Sequence, residues 1–271
     1  MAKDTLKEPG SETPATQPDN ILYINSIIRA VELLSIFNEN ERELGITEIS
    51  KKMNLHKSSV YRIVKTLESV GWLDQNTSNS KYRLGMCILD VSSVILNNYD
   101  YRDVINSEMH KLMQETGETV ILSVYTNIGG VCVDIVEANS YIIYTSKLGQ
   151  KTPVYSGATG KILLAYQSDA EIQSVIEMGL KPYTPYTITD PDDLREELNK
   201  IRVNGYAISM EETDPGVGAV GVPVFSNRGN MVYSLSIVAP VDRMRKKGVR
   251  YLIEKAQSTS QEITRHIGNA L

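Results

Sequence analysis

Apolar positions recur at helical spacing three times before residue 70. The segment 26–37, SIIRAVELLSIF, predicts a first amphipathic helix. Residues 46–65 read ITEISKKMNLHKSSVYRIVK. There Ile49 and Met53 are four apart on a second short helix, and Val60 and Ile63 three apart on a third. Leu55 lies in the turn between them, beside Asn54. This spacing lets two helices bury a shared seam while crossing steeply, as in a helix-turn-helix. The other face of the third helix carries Lys57, Ser58, Ser59, Tyr61, Arg62 and Lys65. Hydroxyls and cations of this kind reach phosphates and base edges in a major groove. Gly71 suits a left-handed helix end. Two short strands, 72–75 and 81–84, follow around the polar turn 76–80 and predict a wing bearing Lys81, Tyr82 and Arg83. A winged helix-turn-helix accounts for residues 21–86.

The pattern then changes twice. Residues 86–96, MCILDVSSVIL, are apolar at helical period and too apolar to stand alone in water. They predict a linker helix within 87–100 that packs on a partner subunit. From 101 to 271 the expected elements are a helix at 102–116 ended by Gly117, and strands at 119–126, 131–138 and 141–148. Gly129-Gly130 should make the first strand turn. Helices follow at 157–166, 170–178 and from the N-cap signals at 188–193 to about Val203. Strands at 206–210, 219–225 and 231–238 precede one final helix over 241–267. The reading is an α+β domain, its antiparallel sheet flanked by helices.

Length and charge refine this picture. At 271 residues the chain suits two domains, and its net charge is −5. Between Thr47 and Met86, seven basic residues stand against Glu48, Glu68 and Asp74, a local +4. A positive field of that kind on an acidic protein attracts DNA. Cys87 and Cys132 are far apart and form no CxxC, and the three histidines are scattered, so no metal site is expected. No signal-peptide core and no 18-residue apolar run occur, so a cytoplasmic protein without a membrane partner is expected. Residues 1–20 have the composition of a disordered tail.

Three catalytic readings fail. Residues 216–221 fit the letters GxGxxG but open a β-branched run, whereas a dinucleotide site needs a helix there. Gly160-Lys161 lacks the first glycine of a P-loop, and Ile162 replaces the metal-binding hydroxyl. Asp134 and Glu137 fall on opposite faces of one strand, and Glu211, Glu212 and Asp214 sit in a turn, so no acid–base pair is formed. No enzyme and no cofactor is expected.

Taken together, SIIRAVELLSIF, KSSVYRIVKTLESVGWL, YRLG, GETVILSV, LGQKTPVYSGATGKILLA, TPYTITDPDDLREELNKIRVNGYAIS and GVGAVGVPVFSNRGNMVYSLSIVAP resemble the IclR family of bacterial transcriptional regulators over nearly all of residues 21–270. The resemblance implies a winged helix-turn-helix, a linker helix and a GAF-like effector-binding domain. It also implies a dimer or tetramer on double-stranded operator DNA and a small-molecule effector, an organic acid. The effector would lie against Gly157, Ala158, Thr159 and Gly160, where helix-end amides suit a carboxylate. Family members that sense small oxo-acids present an Asp, a Cys and two Ser across the sheet. In register this chain has Ser209, Ala219, Ser236 and Val238, so three of the four differ. That substitution implies a larger, partly apolar or aromatic acid held by the 157–160 amides and Ser236.

Overall fold

Several helices in both halves are bounded by a polar cap or a left-handed residue, as the helix Pro191–Asn204 is by Asp190 and Gly205. The computed structural model describes residues 23–38, 40–97, 102–126, 129–138, 147–226 and 228–267. Two compact units divide the chain, Met1–Asn98 and Tyr99–Leu271.

In the first unit, helices α1 (Asn25–Ser35), α2 (Ile46–Met53) and α3 (Lys57–Ser69) precede strands β1 (Leu73–Gln75) and β2 (Tyr82–Leu84), and α4 (Cys87–Asn97) closes it. Asn54 adopts φ 51°, the left-handed turn between α2 and α3. The Glu48 carboxylate accepts from Gly45 N–H at 2.7 Å, which fixes the start of α2. His56 caps α3, its Nδ1 accepting from Ser58 N–H at 3.3 Å. The core gathers Leu33, Leu44, Ile49, Val60, Val64, Leu67, Leu73 and Tyr82. The expected seam is therefore present, with Ile63, Met53 and Leu55 half-buried at its margin.

The second unit holds α5 (Arg102–Thr116), β3 (Thr119–Thr126), β4 (Gly129–Val136) and β5 (Lys151–Thr152). Then come α6 (Gly157–Ala165), α7 (Asp169–Glu177), α8 (Pro191–Asn204), β6 (Ala207–Met210), β7 (Val217–Phe225), β8 (Met231–Pro240), α9 (Val241–Lys247) and α10 (Val249–Ile267). The six strands form one antiparallel sheet in the order β5-β4-β3-β8-β7-β6. Strand alternation splits the core. Val220, Val222, Val224, Leu235 and Ile237 pack on one side with α5, α9 and α10. Ile121, Ala207, Ala219 and Val238 pack on the other with α6, α7 and α8.

Two details differ from the expectation. The terminal helix is two, because Gly248 at φ 90° breaks it between Lys247 and Val249. Gly129 and Gly130 open β4 instead of forming the turn, since Gly130 pairs with Tyr125 and with Thr152 on its two sides. Side-chain crowding explains the second glycine: a Cβ on Gly130 would meet Thr152 Oγ1 at 2.7 Å. Most of the strand expected over 141–148 lies outside the described residues. The short β5 had no periodic signal.

Candidate functional site

On the first unit, α3 presents the expected polar face. Lys57, Ser58, Tyr61 and Arg62 are exposed and Ser59 and Lys65 half-buried. Ser58 stands inside the helix, because His56 takes the cap position; the Ser58 hydroxyl lies 2.8 Å from His56 Nδ1. Lys65 forms an ion pair with Glu68, which raises its pKa. On the wing, Lys81 Nζ lies 3.1 Å from Glu48. The Gly45 N–H first, then Lys81, holds the Glu48 carboxyl below its usual range. Both pairs are solvent-exposed and so worth little, and a phosphate can displace either partner. Arg83 is exposed. Tyr82 is a correction: it is 3% exposed and packed with Leu44 and Leu73, so it belongs to the core and not to any DNA-facing surface. Period two along β2 turns it opposite to Arg83. Burial raises its phenol pKa accordingly.

On the second unit, register brings the expected effector residues together. Ser209 pairs with Ala219 and Ala219 with Val238, one row across β6, β7 and β8, while Ser236 pairs with Gly221 beside it. Helix α6 lies close above this row. A Cβ on Gly221 would meet Ala158 O at 3.0 Å, and one on Gly160 would meet Pro153 O at 2.0 Å. Gly157, Ala158, Thr159, Gly160, Ser209, Ala219 and Val238 line one cavity of about 40 Å³, closed by Thr152, Pro153, Thr213 and Asp214. That is room for roughly three waters.

The geometry alters two expectations. Ser236 does not line the cavity; it accepts a hydrogen bond from Thr159 Oγ1 at 2.8 Å, beneath the helix. The Gly157 amide is already engaged, donating to Glu212 Oε2 at 3.1 Å. Ala158 and Thr159 remain as first-turn amides, which an α-helix leaves without an internal acceptor. The Ser156 side chain does not cap them; it donates to Glu212 O at 3.1 Å. Thr152 Oγ1, unnoticed in the sequence, is buried on the cavity wall and has no partner among the described residues.

Glu212 is the organising residue, and nothing local in the sequence marked it. Its Oε1 lies 2.7 Å from Lys161 Nζ, and Lys161 also donates to Glu197 Oε1 and Ile208 O, each at 2.9 Å. Lys161 is 1% exposed. The lysine of the failed P-loop match is thus a buried strut between α6, α8 and β6. The GxGxxG letters likewise resolve into packing: Gly218 sits where a Cβ would meet Met244 Sδ at 2.4 Å. Among the described residues no group of three His, Cys, Asp or Glu side chains could hold a metal, and no helix is long and apolar enough to cross a membrane.

Replacing Lys161 by Met leaves two carboxylates facing a buried apolar end. Urea unfolding should show a loss of about 3–5 kcal/mol, the cost of breaking a buried pair from one side. The double variant Lys161→Met/Glu212→Met should recover part of that loss, and a single variant as stable as wild type would refute the strut.

Comparison with known proteins agrees with this architecture. Residues 26–77 match the IclR helix-turn-helix domain, and residues 94–265 the bacterial transcriptional regulator IclR C-terminal domain. The HTH-type transcriptional regulator XynR of Escherichia coli K12 is 32% identical over 246 residues, 90% of this chain and 98% of XynR. An IclR transcriptional regulator from Silicibacter superposes with TM-score 0.81 at 24% identity, over 90% of this chain and 96% of that one. An IclR homologue from Microbacterium hydrocarbonoxydans, crystallised with 4-hydroxybenzoate, does so with TM-score 0.76 at 22% identity, over 90% and 100%. With a DNA-binding helix-turn-helix in the first unit and the family's effector-binding domain in the second, the chain belongs to the IclR family of transcriptional regulators.

Proposed function

We propose that this regulator binds operator DNA as an oligomer, through the exposed face of α3 and the wing, and senses a small carboxylate-bearing metabolite in the second unit. The observation that carries the first part is the α3 surface: Lys57, Ser58, Tyr61 and Arg62 stand exposed on a helix whose opposite side is core. Ser59, Lys65, Lys81 and Arg83 supply the flanking phosphate contacts.

Oligomerisation is supported by uncovered apolar surface. Helix α1 and the Ile24 that precedes it expose Ile24, Ile27, Ile28 and Val31, and Met86, Leu89, Val91 and Val94 at and within α4 are more than half exposed. No described residue of α4 is buried. Apolar area of this extent marks an interface, and a two-fold pair of helix-turn-helix domains matches a palindromic operator.

For the effector, the Ala158 and Thr159 amides suit a carboxylate, Thr152 Oγ1 offers an unspent hydroxyl, and Ala158, Ala219, Val217 and Val238 present apolar wall. A wall of this kind favours an acid with an apolar body over glyoxylate or pyruvate. The 4-hydroxybenzoate complex of the Microbacterium homologue is consistent with such a body in this fold. At about 40 Å³ the cavity must widen to admit a ring.

Three measurements test the reading. Arg62→Ala should weaken operator binding by about 1–3 kcal/mol in a gel-shift titration if Arg62 reads a base; unchanged affinity removes it from the interface. Light scattering at micromolar concentration should report at least a dimer, and a monomer would refute the assembly. In a thermal-shift panel of carboxylates, the effector class at a hundred times its Kd should raise Tm by about 5–10 °C. Stabilisation by glyoxylate alone, with none from longer or aromatic acids, would overturn the apolar-body assignment.

A further inference from the structure

Between α1 and α3 lies a cleft of about 370 Å³, walled by Ser26 and Arg29 from α1 and by Ser59, Arg62 and Thr66 from α3, with Ile63 at its floor. Among the described residues no carboxylate lines it. Neither the Arg29 nor the Arg62 guanidinium has an ion pair or hydrogen bond among the described residues. Lys52, Lys65 and Lys81 of the same unit, by contrast, each rest on a glutamate, while the exposed Lys57 at the start of α3 also forms no ion pair among the described residues. Even Glu32, one helical turn from Arg29, forms no pair with it.

Two arginines, always charged, that share a cleft without a counter-ion repel one another. Such an arrangement is favourable once an anion sits between them. The anion is presented with a fork-shaped donor set from each guanidinium, and Ser26 and Ser59 add hydroxyls to the walls. Helix geometry also fixes where Arg29 points. Ser26, Arg29, Ala30 and Leu33 share the face that meets α3, whereas the apolar stripe Ile24, Ile27, Ile28 and Val31 lies on the opposite face. Arg29 is therefore aimed beside the recognition helix and away from the surface assigned to self-association.

We propose that this cleft seats a phosphodiester of the DNA backbone flanking the groove that α3 reads, with Arg29 as a contact residue supplied by α1. The inference rests on DNA binding by α3. Phosphate contacts of this kind set position and affinity without sequence preference, so the operator need not be known to test it.

The full-length chain is titrated by fluorescence anisotropy against a mixed-sequence duplex at a series of salt concentrations. Arg29→Met should weaken binding at low salt and lower the slope of log K against log salt by about one. Arg29→Lys should keep most of that slope, and both variants should melt with the wild type, because Arg29 is exposed. Wild-type binding with an unchanged Arg29→Met slope overturns the seat alone; a wild type that binds no duplex overturns the reading of α3 as well. Inorganic phosphate serves as the second arm. If it stabilises wild type but not Arg29→Met while the salt slopes stay equal, the cleft is a free-phosphate site and the backbone assignment falls.

Discussion

A buried ammonium cannot be placed casually, because an uncompensated charge away from water costs several kcal/mol. Lys161 meets this demand with the side chains of Glu212 and Glu197 and the carbonyl of Ile208. Those three partners come from the turn after β6, from α8 and from β6 itself, so one atom sets the mutual placement of four segments. The consequence reaches the cavity. With Oε1 held by Lys161, Glu212 delivers Oε2 to the Gly157 amide, and this pins the entry of α6 over Gly221. Ala158 and Thr159 then share the cavity wall with Ser209, Ala219 and Val238. The surface proposed to receive the effector is thus shaped by an ion pair whose residues do not line the cavity.

What was legible in the sequence was local and periodic. The seam of the helix-turn-helix, the turn at Asn54, the end of α5 at Gly117 and the strands that carry Ser209, Ala219, Ser236 and Val238 all follow from spacing and turn chemistry. Residues whose role depends on distant partners were misread. Tyr82 looked like a wing residue until Leu44 and Leu73 closed around it. Lys161 looked like a broken P-loop, because its partners lie 36 and 51 positions away. Ser236 was placed correctly in the sheet, but the hydroxyl of Thr159 claims it first. Gly248 sat unnoticed in an otherwise helical run, where a positive φ was needed to redirect α10.

On the first unit some of the positive charge is paired within the chain and some is not. Lysines that stabilise local structure are neutralised, as Lys81 is by the glutamate that also starts α2. The guanidiniums of Arg29 and Arg62 are left unspent. The domain is small and its core gathers eight buried residues among those described, so little stability is available from burial alone. Its uncovered α1 and α4 surfaces fit that shortage, since self-association buries what a single copy leaves in water. DNA affinity and domain stability would then rise together as copies assemble.

The cavity poses the opposite problem, one of too much order. Its rim is gripped by hydroxyls: Thr187 and Ser156 donate to Glu212 O, at 2.6 and 3.1 Å, and Thr184 donates to Glu211 O. Its floor is β7 and β8, both in the interior of the sheet and packed on the opposite core. Widening therefore falls on the rim, where each broken bond costs about 0.5–1.5 kcal/mol net. At about 25 cal/mol per Å² of apolar surface, roughly 20–60 Å² of new burial offsets one such bond. An aromatic body buries on the order of 150 Å² or more, enough to offset at least two. Glyoxylate has almost no apolar surface and could enter only a cavity already of its size, where Ala219 and Val238 give its polar atoms nothing to bind. The rim and the wall thus favour the same choice for the proposed effector: an acid whose carbon skeleton opens the site that its carboxylate would then anchor.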